Sequence, residues 1–199
     1  IGTNAIRLFI SNVEEYPTET LFKKIAFLRV PIRLGEDVFT TGEIGQQKGK
    51  RLCETMQGFS YIMSAFNVES YKAYATCAMR EARNGKSVAE QIQKECDLNI
   101  EIISGTKEAE TIFAGGMNEV VDDDKTYLYV DVGGGSTEVI VYSKSVKVEA
   151  CSFPLGTVRM LNDAMDKEEM KHFKKWLKNI TEKYTPDAII GSGGNINKI

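Results

Sequence analysis

Apolar positions recur along this chain with two periods, one close to two residues and one between three and four. Residues 5–13 and 21–34 are rich in Ile, Leu, Val and Phe, with Pro17 marking a turn between them, and they predict strands of a meander. From residue 41 to about 66 the pattern becomes helical, because Ile44, Leu52, Met56, Phe59, Ile62 and Met63 recur at three- and four-residue steps. A short strand over 70–76, a helix over 88–96, a strand over 100–103 and a helix over 107–117 follow.

The next stretch, 118–125, carries Asp122-Asp123-Asp124 and no strong apolar period, and it predicts a boundary between lobes spanning 1–120 and 121–199. Strands are expected over 126–132, 137–143 and 146–153, then a helix over 158–165. Asp166 with Glu169 three residues on has a capping-box spacing. Met170, Phe173, Trp176, Leu177 and Ile180 make the apolar stripe of the helix that follows, so Trp176 reads as core. A last strand over 188–190 leads into Gly191-Ser192-Gly193-Gly194. The second half thus repeats the order of the first, and such duplication predicts two similar α/β lobes facing a cleft.

Composition narrows the function. The 199 residues are 42% hydrophobic and 27% charged, enough for a substantial core. The net charge is −3 and no Lys/Arg block resembles a nucleic-acid arm, so non-specific nucleic-acid binding is not expected. Cys53, Cys77, Cys96 and Cys151 form no CxxC pair and read as reduced thiols of a cytoplasmic protein. No apolar run reaches the roughly 18–20 residues of a membrane helix, and no signal peptide is visible. The single histidine, His172, rules out a multi-His metal site and leaves acid–base chemistry to carboxylates. Lys167, Lys171, Lys174, Lys175 and Lys178 could track a polyanion, but beside Glu168, Glu169 and Glu182 they read as a solvated face. Both ends read as cut from a longer protein: the chain opens on a turn and stops where a helix begins.

The chemical signal is the run Asp131-Val132-Gly133-Gly134-Gly135-Ser136-Thr137-Glu138 between two apolar strands. Three glycines remove every Cβ, so backbone N–H groups can approach an anion, and Ser136 and Thr137 add hydroxyls. Asp131, at a strand end, is a hard oxygen ligand suited to Mg²⁺ (or Mn²⁺) bridging phosphates. The competing reading is a plain glycine-rich hairpin or linker. Gly2-Thr3-Asn4 has the same small, polar character ahead of the first strand, and Gly193 lies in a third glycine turn, at a strand-to-helix junction.

These motifs, in this order, resemble the exopolyphosphatase/guanosine-pentaphosphate phosphohydrolase (Ppx/GppA) family over essentially the whole chain. Residues 1–8 look like its first phosphate loop, 75–82 like its ATSA-x-R-x-A segment and 103–109 like its ISG-x-x-EA segment. Residues 131–138 are similar to its second loop, 154–159 to a further loop, and 191–194 to its last glycine turn. The resemblance implies an α/β fold of the duplicated ribonuclease-H-like (actin-like ATPase) type, with mixed sheets flanked by helices. It also implies that Glu108 activates water, Arg80 contacts phosphate, Asp131 is the metal-side acid and Glu138 is a second active-site carboxylate. Thr3, Asn4, Gly133, Gly134, Gly135, Ser136, Thr137, Gly156, Arg159 and Gly193 become the expected phosphate-binding set. Ala5 and Cys77 each replace a common Ser, and the Asp that normally precedes the position of Ile1 is missing.

Glu108 falls in the first turn of its helix, where the dipole favours an ionised carboxylate; read without the resemblance, it would simply cap. The expected activity is hydrolysis of terminal phosphoanhydride bonds of inorganic polyphosphate, with guanosine pentaphosphate as the rival substrate and a homodimer left open. A kinase of the same superfold would need an acceptor pocket, and no sugar-binding signature is present. A phosphate or nucleotide sensor would bind without turnover.

Overall fold

The computed structural model describes residues 1–17, 20–114, 122, 124–144 and 146–193. They fall into two compact units, Ile1–Ile102 and Ile103–Ile199.

In the first unit β1 (Ile6–Glu15) and β2 (Thr20–Val30) form an antiparallel hairpin with a bulge between Ile10 and Ser11. Pro31 ends the ladder, since it has no N–H to donate. The chain then forms α1 (Leu34–Thr41); the strand expected over 21–34 overlaps it only at Leu34, and no element is predicted over 35–40. Next come α2 (Gln46–Ala65), β3 (Ala73–Ala75), α3 (Cys77–Glu81), α4 (Gly85–Cys96) and β4 (Ile100–Ile102). β3 and β4 pair in parallel, as a strand–helix–strand crossover requires. Leu34, Leu52, Met79 and Ile92 lie at the centre of one core that the strands and helices of this unit share.

The second unit begins with α5 (Gly105–Ala114), which the sequence pattern groups with the first lobe. Three strands follow with the expected bounds: β5 (Thr126–Val132), β6 (Thr137–Ser143) and β7 (Val146–Phe153). Then come α6 (Thr157–Leu161), α7 (Lys167–Tyr184) and β8 (Ala188–Ser192). The sheet order is β7-β6-β5-β8, antiparallel except for the parallel pair β5/β8. One face carries Tyr127, Tyr129, Ile140 and Tyr142 and packs on Ala109 of α5. The opposite face carries Leu128, Val139, Val141 and Phe153 and packs on the apolar stripe of α7, including Trp176. Phe153 meets Phe173 and Trp176 edge-on, at centroid distances of 4.9 and 5.4 Å. Asp166 caps α7 by accepting from the Glu168 amide at 2.8 Å, one position earlier than a capping box would have it.

The lysines of α7 are solvent-facing; Lys171 pairs with Glu168 and Lys178 with Glu182. The four cysteines are free thiols. Among the described residues no helix is long and apolar enough to cross a membrane. The rest of the helix predicted to residue 117, most of the predicted segment 118–125, and Gly194 lie outside the described residues.

Candidate active site

Strand register assembles the site. β5 pairs with β6 so that Asp131 faces Glu138, β5 pairs with β8 so that Asp131 also faces Ser192, and β6 pairs with β7 so that Glu138 faces Ser152. Directly opposed residues project to the same side of a sheet. Ser152, Glu138, Asp131 and Ser192 therefore form one row across four strands, on the side that α5 covers. Glu108 precedes the buried Ala109 of α5, and Ser104 starts that helix: its side chain accepts from the Lys107 amide at 3.2 Å and its carbonyl from the Glu108 amide at 2.9 Å.

Glu138 is only 1% exposed. Burial, then the negative charge of Glu108, then that of Asp131 push its carboxyl up to about 7, against the lowering effect of hydrogen bonds from Ser136 and Ser152. The Ser152 hydroxyl donates to Glu138 Oε1 at 2.8 Å. Glu108 Oε2 and Asp131 Oδ1 are likewise buried oxygens that no hydrogen bond reaches among the described residues, although both side chains keep other contacts.

The glycine turn is held from behind. The amides of Thr157 and Val158 donate to the carbonyls of Gly133 and Gly134 at 3.1 and 2.8 Å. Arg159 Nε donates to the carbonyl of Gly135 at 2.6 Å. In a planar trans peptide the C=O and the following N–H point in opposite directions. Pinning three successive carbonyls toward α6 therefore turns the N–H groups of Gly134, Gly135 and Ser136 the other way, as an anion cradle. Gly156 makes this approach feasible, because a Cβ there would sit 2.4 Å from the carbonyl oxygen of Gly134. The Gly133 amide closes the turn onto the carbonyl of Ser136 at 2.9 Å.

A model of the Ppx/GppA phosphatase family matches residues 13–195. The chain belongs to that family. It is 30% identical over 164 residues to a bifunctional 3-dehydroquinate synthase/phosphatase of Fusobacterium nucleatum, covering 80% of this chain and 25% of that protein. It is 26% identical over 168 residues to exopolyphosphatase 1 of Mycobacterium bovis, covering 82% of this chain and 46% of that one. It spans about half the length of the exopolyphosphatases it matches. Among solved structures, an exopolyphosphatase from Cytophaga hutchinsonii superposes with a TM-score of 0.87 at 26% identity, covering 99% of this chain and 66% of that chain. The Aquifex aeolicus Ppx/GppA family member superposes with a TM-score of 0.76 at 27% identity, covering 98% and 65%. The fold is accordingly the mixed α/β fold of Ppx/GppA proteins.

Within this Ppx/GppA chain the expected residues divide by what they touch. Glu108, Asp131, Glu138, Gly133, Gly134, Gly135 and Ser136 converge in the second unit. Thr137 spends its hydroxyl proton on the carbonyl of Leu155, at 2.6 Å. Gly156 and Arg159 stand behind the turn rather than on its amide side. Gly193 has φ +97°, and an added Cβ would come within 2.5 Å of Asp131 Oδ1, so its bareness makes room for that carboxylate. In the first unit Thr3 is buried and Asn4 exposed, and their carbonyls accept from the amides of Gly35 and Arg33. Arg80 is half-buried in the last turn of α3.

Sequence reasoning missed Ser152, Tyr129 and Ser192. Counting back from a two-residue turn between β6 and β7 would place Cys151 opposite Glu138. A bulge between Val141 and Tyr142 moves Ser152 there instead.

Among the described residues no three ligating side chains cluster, and Mg²⁺ typically binds one or two carboxylates together with water and substrate phosphates. Asp131 would hold it, beside the clearance that Gly193 leaves.

Proposed function

We propose that the full-length protein hydrolyses terminal phosphoanhydride bonds of inorganic polyphosphate. The observation that carries this reading is the carboxylate row beside a glycine turn whose amides face away from α6. The amides of Gly134, Gly135 and Ser136 receive the non-bridging oxygens of the terminal phosphoryl group and offset their charge. Mg²⁺ at Asp131 supplies further neutralisation when bound. Glu108 takes a proton from water as the water oxygen attacks phosphorus; the bridging P–O bond breaks, and the shortened chain leaves with the electron pair. Glu138, buried and neighboured by two acids, takes up a proton near neutrality and so relieves repulsion on Glu108. Thr3, Asn4 and Arg80 belong to the proposal as phosphate contacts on the strength of the family resemblance, and mutation reads their part.

The test is Mg²⁺-dependent phosphate release by the full-length enzyme, with polyphosphate and guanosine pentaphosphate turned over side by side. Glu108→Gln is expected to lower turnover by about 10²- to 10⁴-fold while substrate still binds. Undiminished turnover would remove Glu108 from its role. Faster turnover of guanosine pentaphosphate would replace the substrate and leave the chemistry standing.

A further inference from the structure

We infer that Tyr129 and Ser192 form a hydroxyl chain that positions the Asp131 carboxylate, as Ser152 positions that of Glu138. The inference rests on the reading of Asp131 as a group of the hydrolytic site. In the row across the sheet each acid has a serine as its outer neighbour: Ser152 beside Glu138 and Ser192 beside Asp131. The first of these serines donates to its acid. The second accepts a hydrogen bond from Tyr129 Oη at 2.5 Å. A serine hydroxyl has a single proton, and accepting from Tyr129 leaves that proton for another acceptor. The acid directly opposite Ser192 on the neighbouring strand is Asp131.

Tyr129 is suited to hold this arrangement. Its ring is buried in the cluster under α5, so the hydroxyl has a fixed position. Tyr129, two residues before Asp131 on β5, shares its face of the sheet, so Tyr129, Asp131 and the register partner Ser192 lie on one side.

Two measurements on the full-length protein test this. In the metal-free state, Ser192→Ala, Asp131→Ala and the double variant form a cycle in the unfolding equilibrium. The effect of Ser192→Ala is expected to shrink about fivefold once Asp131 is gone, as for groups in one hydrogen bond. Effects that simply multiply would overturn the inference. In phosphate release, Tyr129→Phe and Ser192→Ala are each expected to lower kcat about tenfold with KM changed less than about twofold, and the double variant to match Ser192→Ala alone. Ser192→Thr, which keeps the hydroxyl, should restore most of kcat. A packing role alone would lower the melting temperature and leave kcat, and this too would overturn the inference. If Asp131→Ala leaves phosphate release undiminished, the proposed role of Asp131 in hydrolysis fails, whereas the unfolding cycle still decides the hydroxyl chain.

Discussion

The two glycine turns, one per unit, share a closing hydrogen bond and differ in their surroundings. The Gly2 amide donates to the carbonyl of Ala5 at 3.1 Å, as the Gly133 amide does to that of Ser136 at 2.9 Å. Both turns are held from behind by the chain entering a helix: the Arg33 and Gly35 amides reach the carbonyls of Asn4 and Thr3, and Thr157 and Val158 do the same for Gly133 and Gly134. Aligned on these bonds, Arg7 stands where Glu138 stands, and Phe9 where Ile140 stands. The first turn thus leads into an exposed cation and the second into a buried acid. A shared closing bond shapes the turn in either unit, and the second turn alone of the two leads into a buried acid.

The largest expected effect tests how closely each turn is held. Gly156→Ala drives a methyl into backbone atoms of Gly134 and Gly135 at about 2.5 Å, whereas a Cβ at Gly2 meets the carbonyl of Ala5 at 3.2 Å. Phosphate release should fall by about 10²- to 10³-fold in Gly156→Ala, the scale of losing preorganised donors. Gly2→Ala should lose less than about tenfold on the same scale. Equal losses would break the comparison.

The acid has its own signature. Glu138 has a folded value raised to about 7 from 4.5, so the fold favours its protonated form. In metal-free protein the contribution of Glu138 is most favourable below pH 4.5. It falls by roughly 3 kcal/mol as pH rises to about 7 and then levels off. Denaturant melts between pH 4.5 and 8 should show this slope, and Glu138→Gln should flatten it.

Arg159→Ala removes the side-chain clamp on the carbonyl of Gly135, and turnover is expected to fall by about 10- to 100-fold. Arg33 holds its turn through a backbone amide, so Arg33→Ala should stay within about twofold, the range of a surface change. The smallest effect is expected on the open face of the first hairpin. Phe9 is 54% exposed and Ile140 is 0% exposed beneath α5. Phe9→Ala should change unfolding free energy by less than about 0.5 kcal/mol, while Ile140→Ala should cost about 2–5 kcal/mol.

Local pattern carried much of this. Period-two apolar runs interrupted by three glycines specified β5, the turn, β6 and β7 with their bounds, because strand alternation and turn chemistry act within a few residues. Asp131 was legible because it ends the strand that runs into that turn, whereas Glu138 was named as a site residue through the family resemblance. α1 was not legible, since Ile32 and Leu34 extend the apolar run of β2 and only Pro31 announces the change.

By itself, then, the sequence determined the α/β elements, the glycine turns and the acids beside the second turn, all set by neighbours along the chain. Tertiary structure alone decided which groups support those acids. A one-residue bulge selected Ser152, parallel pairing across 61 positions brought Ser192 to Asp131, and α6 drew the Arg159 side chain onto a carbonyl. The physical reason is that register and burial depend on contacts between distant segments, and no local period encodes them.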